Sequence, residues 1–151
     1  MGQSLATDYP EAARVFEEAD EILDFKISQL AWTGPEEELL LTKNVQPAIL
    51  AHSVAMYRIV RDRLGEVAMA AGHSLGEFSA HVAAGTLEFD VALRTVRLRG
   101  ELMYAAGLTR PGTMAAVIGL VLIAGLILSA AASLISKAES IVAGFALSTL
   151  L

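Results

Sequence analysis

The chain has 151 residues, a formal net charge of −6 and no cysteine. That length suits one domain with a buried core, and the missing thiols exclude disulfides, thiolate metal sites and a cysteine nucleophile, as expected of a cytoplasmic protein. The acidic balance argues against a nucleic-acid partner, His52, His73 and His81 share no zinc-ligand spacing, and no signal peptide is expected from the polar start.

In chain order, the first predicted helix begins at Pro10, with Thr7 or Asp8 as its cap and Glu11 favouring its positive end. Ala12, Val15, Phe16, Ala19, Ile22 and Leu23 recur at helical spacing as a buried stripe, and Glu17, Glu18, Asp20 and Glu21 read as the solvated face. A turn at Gly34-Pro35 precedes a short acidic helix start over Glu36 to Leu41. A stronger helix is predicted from about Pro47 to Leu64, closed by Gly65, with Ile49, Leu50, Val54, Tyr57 and Val60 on one face. Val67 to Ala71 reads as a short buried strand, followed by a helix from Leu75 to about Ala84 that Gly85 stops. A further helix starts at Asp90 and continues to about Leu108, Arg110-Pro111-Gly112 is a turn, and Met114 to Ile118 reads as a second buried strand. Strands alternating with helices predict an α/β architecture with a parallel sheet.

The charge breaks sharply near the C-terminal third. Residues 1–112 hold 26 of the 28 Lys, Arg, Asp and Glu residues, and Pro111 to Ser136 is a 26-residue uncharged run. Such a run is long enough to cross a bilayer as a helix of roughly 20 residues. Three readings stand: a membrane anchor, a buried element, or a tail of unrelated origin, the last preferred with a membrane-prone consequence. The expected division is 1–120 as part of an enzyme subdomain and 121–151 as an apolar, helical tail.

Gly72-His73-Ser74-Leu75-Gly76 fits G-x-S-x-G between a predicted strand and a predicted helix. A tight strand-to-helix turn of this kind pushes the serine hydroxyl clear of the sheet, and the helix N-terminus supplies free N–H groups for a developing oxyanion, Leu75 among them. The alternative is a glycine-rich turn with an ordinary cap serine. His81 lies seven residues beyond Ser74, roughly 10 Å along the helix, too far to serve as its base. His52 is expected on a helix surface.

The longer strings GHSLGE (72–77), QPAIL (46–50), RGELM (99–103) and GTMAAVIGL (112–120) resemble the malonyl-CoA:acyl carrier protein transacylases, relatives of the acyltransferase domains of polyketide synthases. The resemblance implies an α/β-hydrolase-like acyltransferase core, truncated here, that carries Ser74 on a nucleophile elbow. It implies that Ser74 takes a malonyl group from coenzyme A as an oxygen ester and passes it to acyl carrier protein, in fatty-acid biosynthesis and with no cofactor. Arg99, 25 residues after the serine, would hold the free carboxylate through its planar fork, His73 would shape the pocket, and Leu75 resembles malonyl-type members. Gln46 looks like a pocket-facing residue, with a plain N-cap role equally compatible. The alternative for Arg99 is a solvated helix arginine beside Arg94 and Arg97, and its place in RGELM favours the functional role. Arg58, Arg61 and Arg63 suit either a solvated helix end or a docking patch for an acidic carrier protein.

Relatives begin with an apolar strand running into a Gly-Gln-Gly-Ser-Gln loop whose glutamine serves the oxyanion hole, and use a downstream histidine as base. This sequence starts after that loop, and no histidine follows His81, so impaired activity is expected. A G-x-S-x-G thioesterase or esterase, and a non-catalytic membrane-associated fragment, are the alternatives.

Overall fold

The computed structural model describes residues 1–110 and 112. Among the described residues there are seven α-helices: α1 (Gln3–Asp8), α2 (Pro10–Leu23), α3 (Ile27–Thr33), α4 (Glu36–Leu40), α5 (Thr42–Val60), α6 (Gly76–Ala83) and α7 (Phe89–Thr109). A 3-10 turn, Arg61–Arg63, extends α5, and α5 touches α2, α3, α4, α6 and, most closely, α7.

The first predicted helix is α2. Pro10 occupies its first turn and Glu11 its positive end, and Ala12, Val15, Phe16 and Ala19 are buried. Its cap is Tyr9 rather than Thr7 or Asp8, because those two residues belong to α1, a short helix that buries no residue and so leaves no apolar stripe to read. Asp20 departs from the expected solvated face. It is 7% exposed and accepts from the Ser28 N–H at 2.9 Å and the Ser28 hydroxyl at 2.7 Å. A buried carboxylate needs such partners, and here they join the end of α2 to the start of α3. The α3 helix was not predicted; Ile27, Leu30 and Ala31 are buried in it, and Trp32 meets the Phe16 ring edge-on at 5.5 Å.

Helix α5 starts at Thr42, five residues before the predicted start, and carries Pro47 in its interior. Proline has no N–H, so the carbonyl one turn back, that of Lys43, loses its helical donor. Arg97 of α7 fills this vacancy: its Nη1 donates to Lys43 O at 3.0 Å and to Asn44 Oδ1 at 2.8 Å. The Arg97 side chain is therefore a tether between helices. Three residues further on, Gly100 lets the helices touch. A Cβ there would lie 2.5 Å from Thr42 O and 2.8 Å from Lys43 Cα, and the Thr42 hydroxyl donates to Gly100 O at 3.2 Å. Below this contact Leu50, Val54, Phe89, Leu93 and Val96 close over Val15 and Phe16. Each such side chain, fully buried, contributes about 1.5–3 kcal/mol. Ile49, expected on the buried face, is 39% exposed.

Gly65 takes the left-handed conformation expected of it (φ 66°), as does Gly85 (φ 68°). The segment between Gly65 and α6 differs from expectation. Val67 to Ala71 has no regular secondary structure, and Val67 and Met69 are 55% and 75% exposed. A strand needs a neighbour to take its backbone groups, and the described residues offer none. The other predicted strand, Met114 to Ile118, and the uncharged run up to Ser136 lie outside the described residues, apart from Gly112. Among the described residues no helix is long and apolar enough to cross a membrane.

Candidate active site

The site is assembled from α5, α7 and the turn that leads into α6. Ser74 has φ 53°, one of two non-glycine residues with positive φ among the described residues. The left-handed region costs an ordinary L-residue roughly 1–2 kcal/mol, so the turn holds Ser74 in a strained conformation. Gly72 explains how so tight a turn closes. A Cβ at that position would lie 2.0 Å from both the carbonyl carbon and oxygen of Gly76, so no side chain fits. The N–H groups of Gly76, Glu77 and Phe78 are taken by the carbonyls of His73, Ser74 and Leu75 at 2.9, 3.3 and 3.1 Å. The Leu75 N–H has no backbone acceptor among the described residues, while the Leu75 side chain packs against the core.

Three of the predicted site residues meet. Arg99 Nη2 donates to Ser74 Oγ at 3.0 Å, and Arg99 Nη1 donates to Gln46 Oε1. Gln46 lies inside α5, 6% exposed, so its side chain serves the site and not a helix cap. Its Nε2 donates in turn to Met103 Sδ at 3.3 Å. The strings QPAIL and RGELM thus become one construction. Arg99 reaches the serine, Gly100 admits the neighbouring helix, Glu101 pairs with Arg97 at 2.6 Å, and Met103 receives Gln46. Sequence reasoning gave Met103 no role. Its signal was the four-residue spacing from Arg99, which puts both side chains on one face of α7.

The remaining candidates stand apart from this chain of contacts. His73 is exposed and lines an open cleft of about 600 Å3 with Ser74, Glu77, His81 and Thr86. His81 Nδ1 pairs with Thr86 Oγ1 at 2.8 Å, so the ring is engaged at the far end of α6. His52 is half-buried beside Gly2 and not on an open helix surface; burial, with the amino-terminal charge adding to it, holds its imidazole below the usual histidine range. Arg58 pairs with Glu18 at 2.8 Å and lies over the Phe89 ring, whereas Arg61 and Arg63 are exposed in the 3-10 turn.

A guanidinium and a strained serine hydroxyl at hydrogen-bond distance can together receive an acyl group that bears its own carboxylate. The family model described as the acyl transferase domain matches residues 1–136, running past the expected boundary at Leu120. The chain is 48% identical over 120 residues to the malonyl CoA-acyl carrier protein transacylase of Bacillus subtilis, covering 80% of this chain and 38% of that one. A solved acyl carrier protein S-malonyltransferase of Vibrio cholerae superposes with a TM-score of 0.64 at 45% identity, covering 68% of this chain and 34% of that one. A malonyl-transacylase solved in complex with its type II polyketide synthase acyl-carrier protein gives a TM-score of 0.66 at 46% identity, over 70% and 35% of the two chains. The chain therefore spans well under half the length of these relatives. Matched by that family model over residues 1–136, it belongs to the acyl transferase domain family.

Proposed function

We propose that the chain carries the acyl-accepting half of a malonyl transferase, moving a malonyl group from coenzyme A to acyl carrier protein through an ester on Ser74. The observation that supports this best is the contact between Arg99 Nη2 and Ser74 Oγ at 3.0 Å, made by an arginine that Gln46 also holds. Ser74 Oγ attacks the thioester carbonyl carbon, and the Leu75 N–H faces the oxyanion that forms. The C–S bond then breaks, and coenzyme A leaves as the thiol with the serine's proton. A pantetheine thiol of the carrier protein reverses the step, taking the malonyl group and returning the proton. Throughout, Arg99 binds the free carboxylate, which an acetyl group lacks; a guanidinium left unpaired in the site disfavours the shorter acyl chain.

The likeness to whole transacylases supports further parts of this reading. The chain is assigned to an α/β-hydrolase-like parallel-sheet core, with 1–120 as part of the large subdomain and 121–151 as an apolar tail. His73 is assigned to the pocket wall, and the reaction to the cytoplasm.

The test is intact-mass analysis after incubation with malonyl-CoA or acetyl-CoA. The expected product is one malonyl group per chain, formed slowly because among the described residues no imidazole is bonded to Ser74, absent in Ser74→Ala and not matched by acetyl labelling. Labelling that survives Ser74→Ala rejects the proposal. Ester hydrolysis without malonyl preference, indifferent to Arg99→Ala, would instead establish the esterase reading.

A further inference from the structure

We propose that Met103 is a positioning residue for carboxylate recognition: its thioether fixes the orientation of the Gln46 amide and, through it, the Arg99 guanidinium. The inference rests on the reading of Arg99 as the malonyl-carboxylate ligand. A guanidinium only donates hydrogen bonds, so Gln46 must turn its Oε1 towards Arg99 Nη1. The amide NH2 then points the other way, inside a side chain that is 6% exposed, where an unpaired donor is costly. Among the described residues the acceptor for Nε2 is Met103 Sδ, at 3.3 Å. A thioether accepts weakly but cannot donate. It therefore accepts only the NH2 end of the amide and rejects none of the contacts Arg99 needs.

The geometry makes this a sequence of single orientations. Met103 and Arg99 lie four residues apart on one face of α7, and Gln46 bridges them from α5. Gln46 occupies Nη1 and leaves Nη2, now on Ser74 Oγ, to be taken over by an arriving carboxylate. Replacing the sulfur by carbon frees the amide to rotate, and Arg99 loses its fixed bearing without losing its charge. The effect should fall on the discrimination between acyl groups, not on the affinity for coenzyme A common to both.

The experiment measures the dissociation constants of malonyl-CoA and acetyl-CoA by titration calorimetry for the unaltered chain, Met103→Leu, Met103→Gln and Gln46→Leu, with circular dichroism and thermal melting to compare folding. The unaltered chain is expected to prefer malonyl-CoA. Met103→Leu, which keeps the volume, should cut that preference about three- to tenfold with acetyl-CoA affinity unchanged, and Gln46→Leu at least as much. Met103→Gln, whose amide oxygen can accept from Gln46 Nε2, should restore most of it. A preference unchanged in both Met103→Leu and Gln46→Leu overturns the positioning role alone. An unaltered chain with no preference, or an Arg99→Ala chain that keeps it, overturns the reading of Arg99 and this inference with it.

Discussion

The two sides of the site are held in place by opposite means. Arg99 and Gln46 stand on α7 and α5, whose backbones touch at Gly100 and whose shared core includes Leu50, Leu93 and Val96, all fully buried. Ser74 stands just after an exposed irregular segment, Val67 to Ala71, and keeps its position through local geometry: a left-handed φ and the approach of Gly72 to Gly76. The binding side is fixed by packing across more than fifty residues of sequence, the nucleophile side by a strained turn of five. Substitutions in the first should therefore register mainly as stability, and in the second mainly as chemistry.

The largest test of that contrast is a pair of truncations. Leu93→Ala removes a fully buried side chain from α7 and should lower the unfolding free energy in urea by about 2–5 kcal/mol. Met69→Ala, on the exposed segment, should change it by less than about 0.5 kcal/mol. Equal losses would mean that the serine segment is packed as firmly as the helices.

Next in size is Gly100→Ala. The added methyl meets Thr42 O and Lys43 Cα, backbone atoms that cannot swing aside, so the same unfolding measurement should fall by about 1–3 kcal/mol. Serine labelling should weaken with it, since α7 must draw back and take Arg99 along. A third variant separates strain from function. Ser74→Gly relieves a positive φ that glycine adopts freely, so it should abolish acylation while raising stability by roughly 1 kcal/mol. A destabilised Ser74→Gly chain would show that the hydroxyl, not the turn, carries the local structure.

The smallest effect concerns pH and lies away from the site. His52 is held below its ordinary range, so the folded chain binds fewer protons here than the unfolded one. Its contribution is complete above the unfolded histidine value and is lost as pH falls below it towards the lowered one. Unfolding midpoints between pH 7 and 5 should drop less in His52→Gln than in the unaltered chain.

Much of this was legible in the sequence, for reasons that differ by element. The apolar stripe of α2 and the glycines at 65 and 85 follow from local rules, and the structure carries them where expected. The G-x-S-x-G turn was legible because its strain is written in its own five residues. The partners of Asp20 and Arg97 were not, because each answers a vacancy made elsewhere: the Ser28 end of α3 in one case, the proline of α5 in the other. Gln46 was ambiguous for a related reason. Its position before Pro47 looks like a helix start, and only the four preceding helical residues turn it into an interior side chain facing Arg99. Val67 to Ala71 shows the converse limit. Its apolar run announces a buried strand, but burial belongs to a pairing partner that the segment itself does not contain.

The proline in α5 has one more consequence. Helices that meet along smooth apolar faces can slide by a turn at modest cost, because each ridge finds a similar groove. Pro47 leaves the Lys43 carbonyl without its helical donor, unlike the carbonyls beside it, and Arg97 donates to it. The missing bond acts as an index mark for the partner helix. Arg99 sits two residues past the side chain that reads the mark, and Gln46 one residue before the proline that makes it. A fault in one helix thereby sets, to the residue, where the charge on the other is delivered.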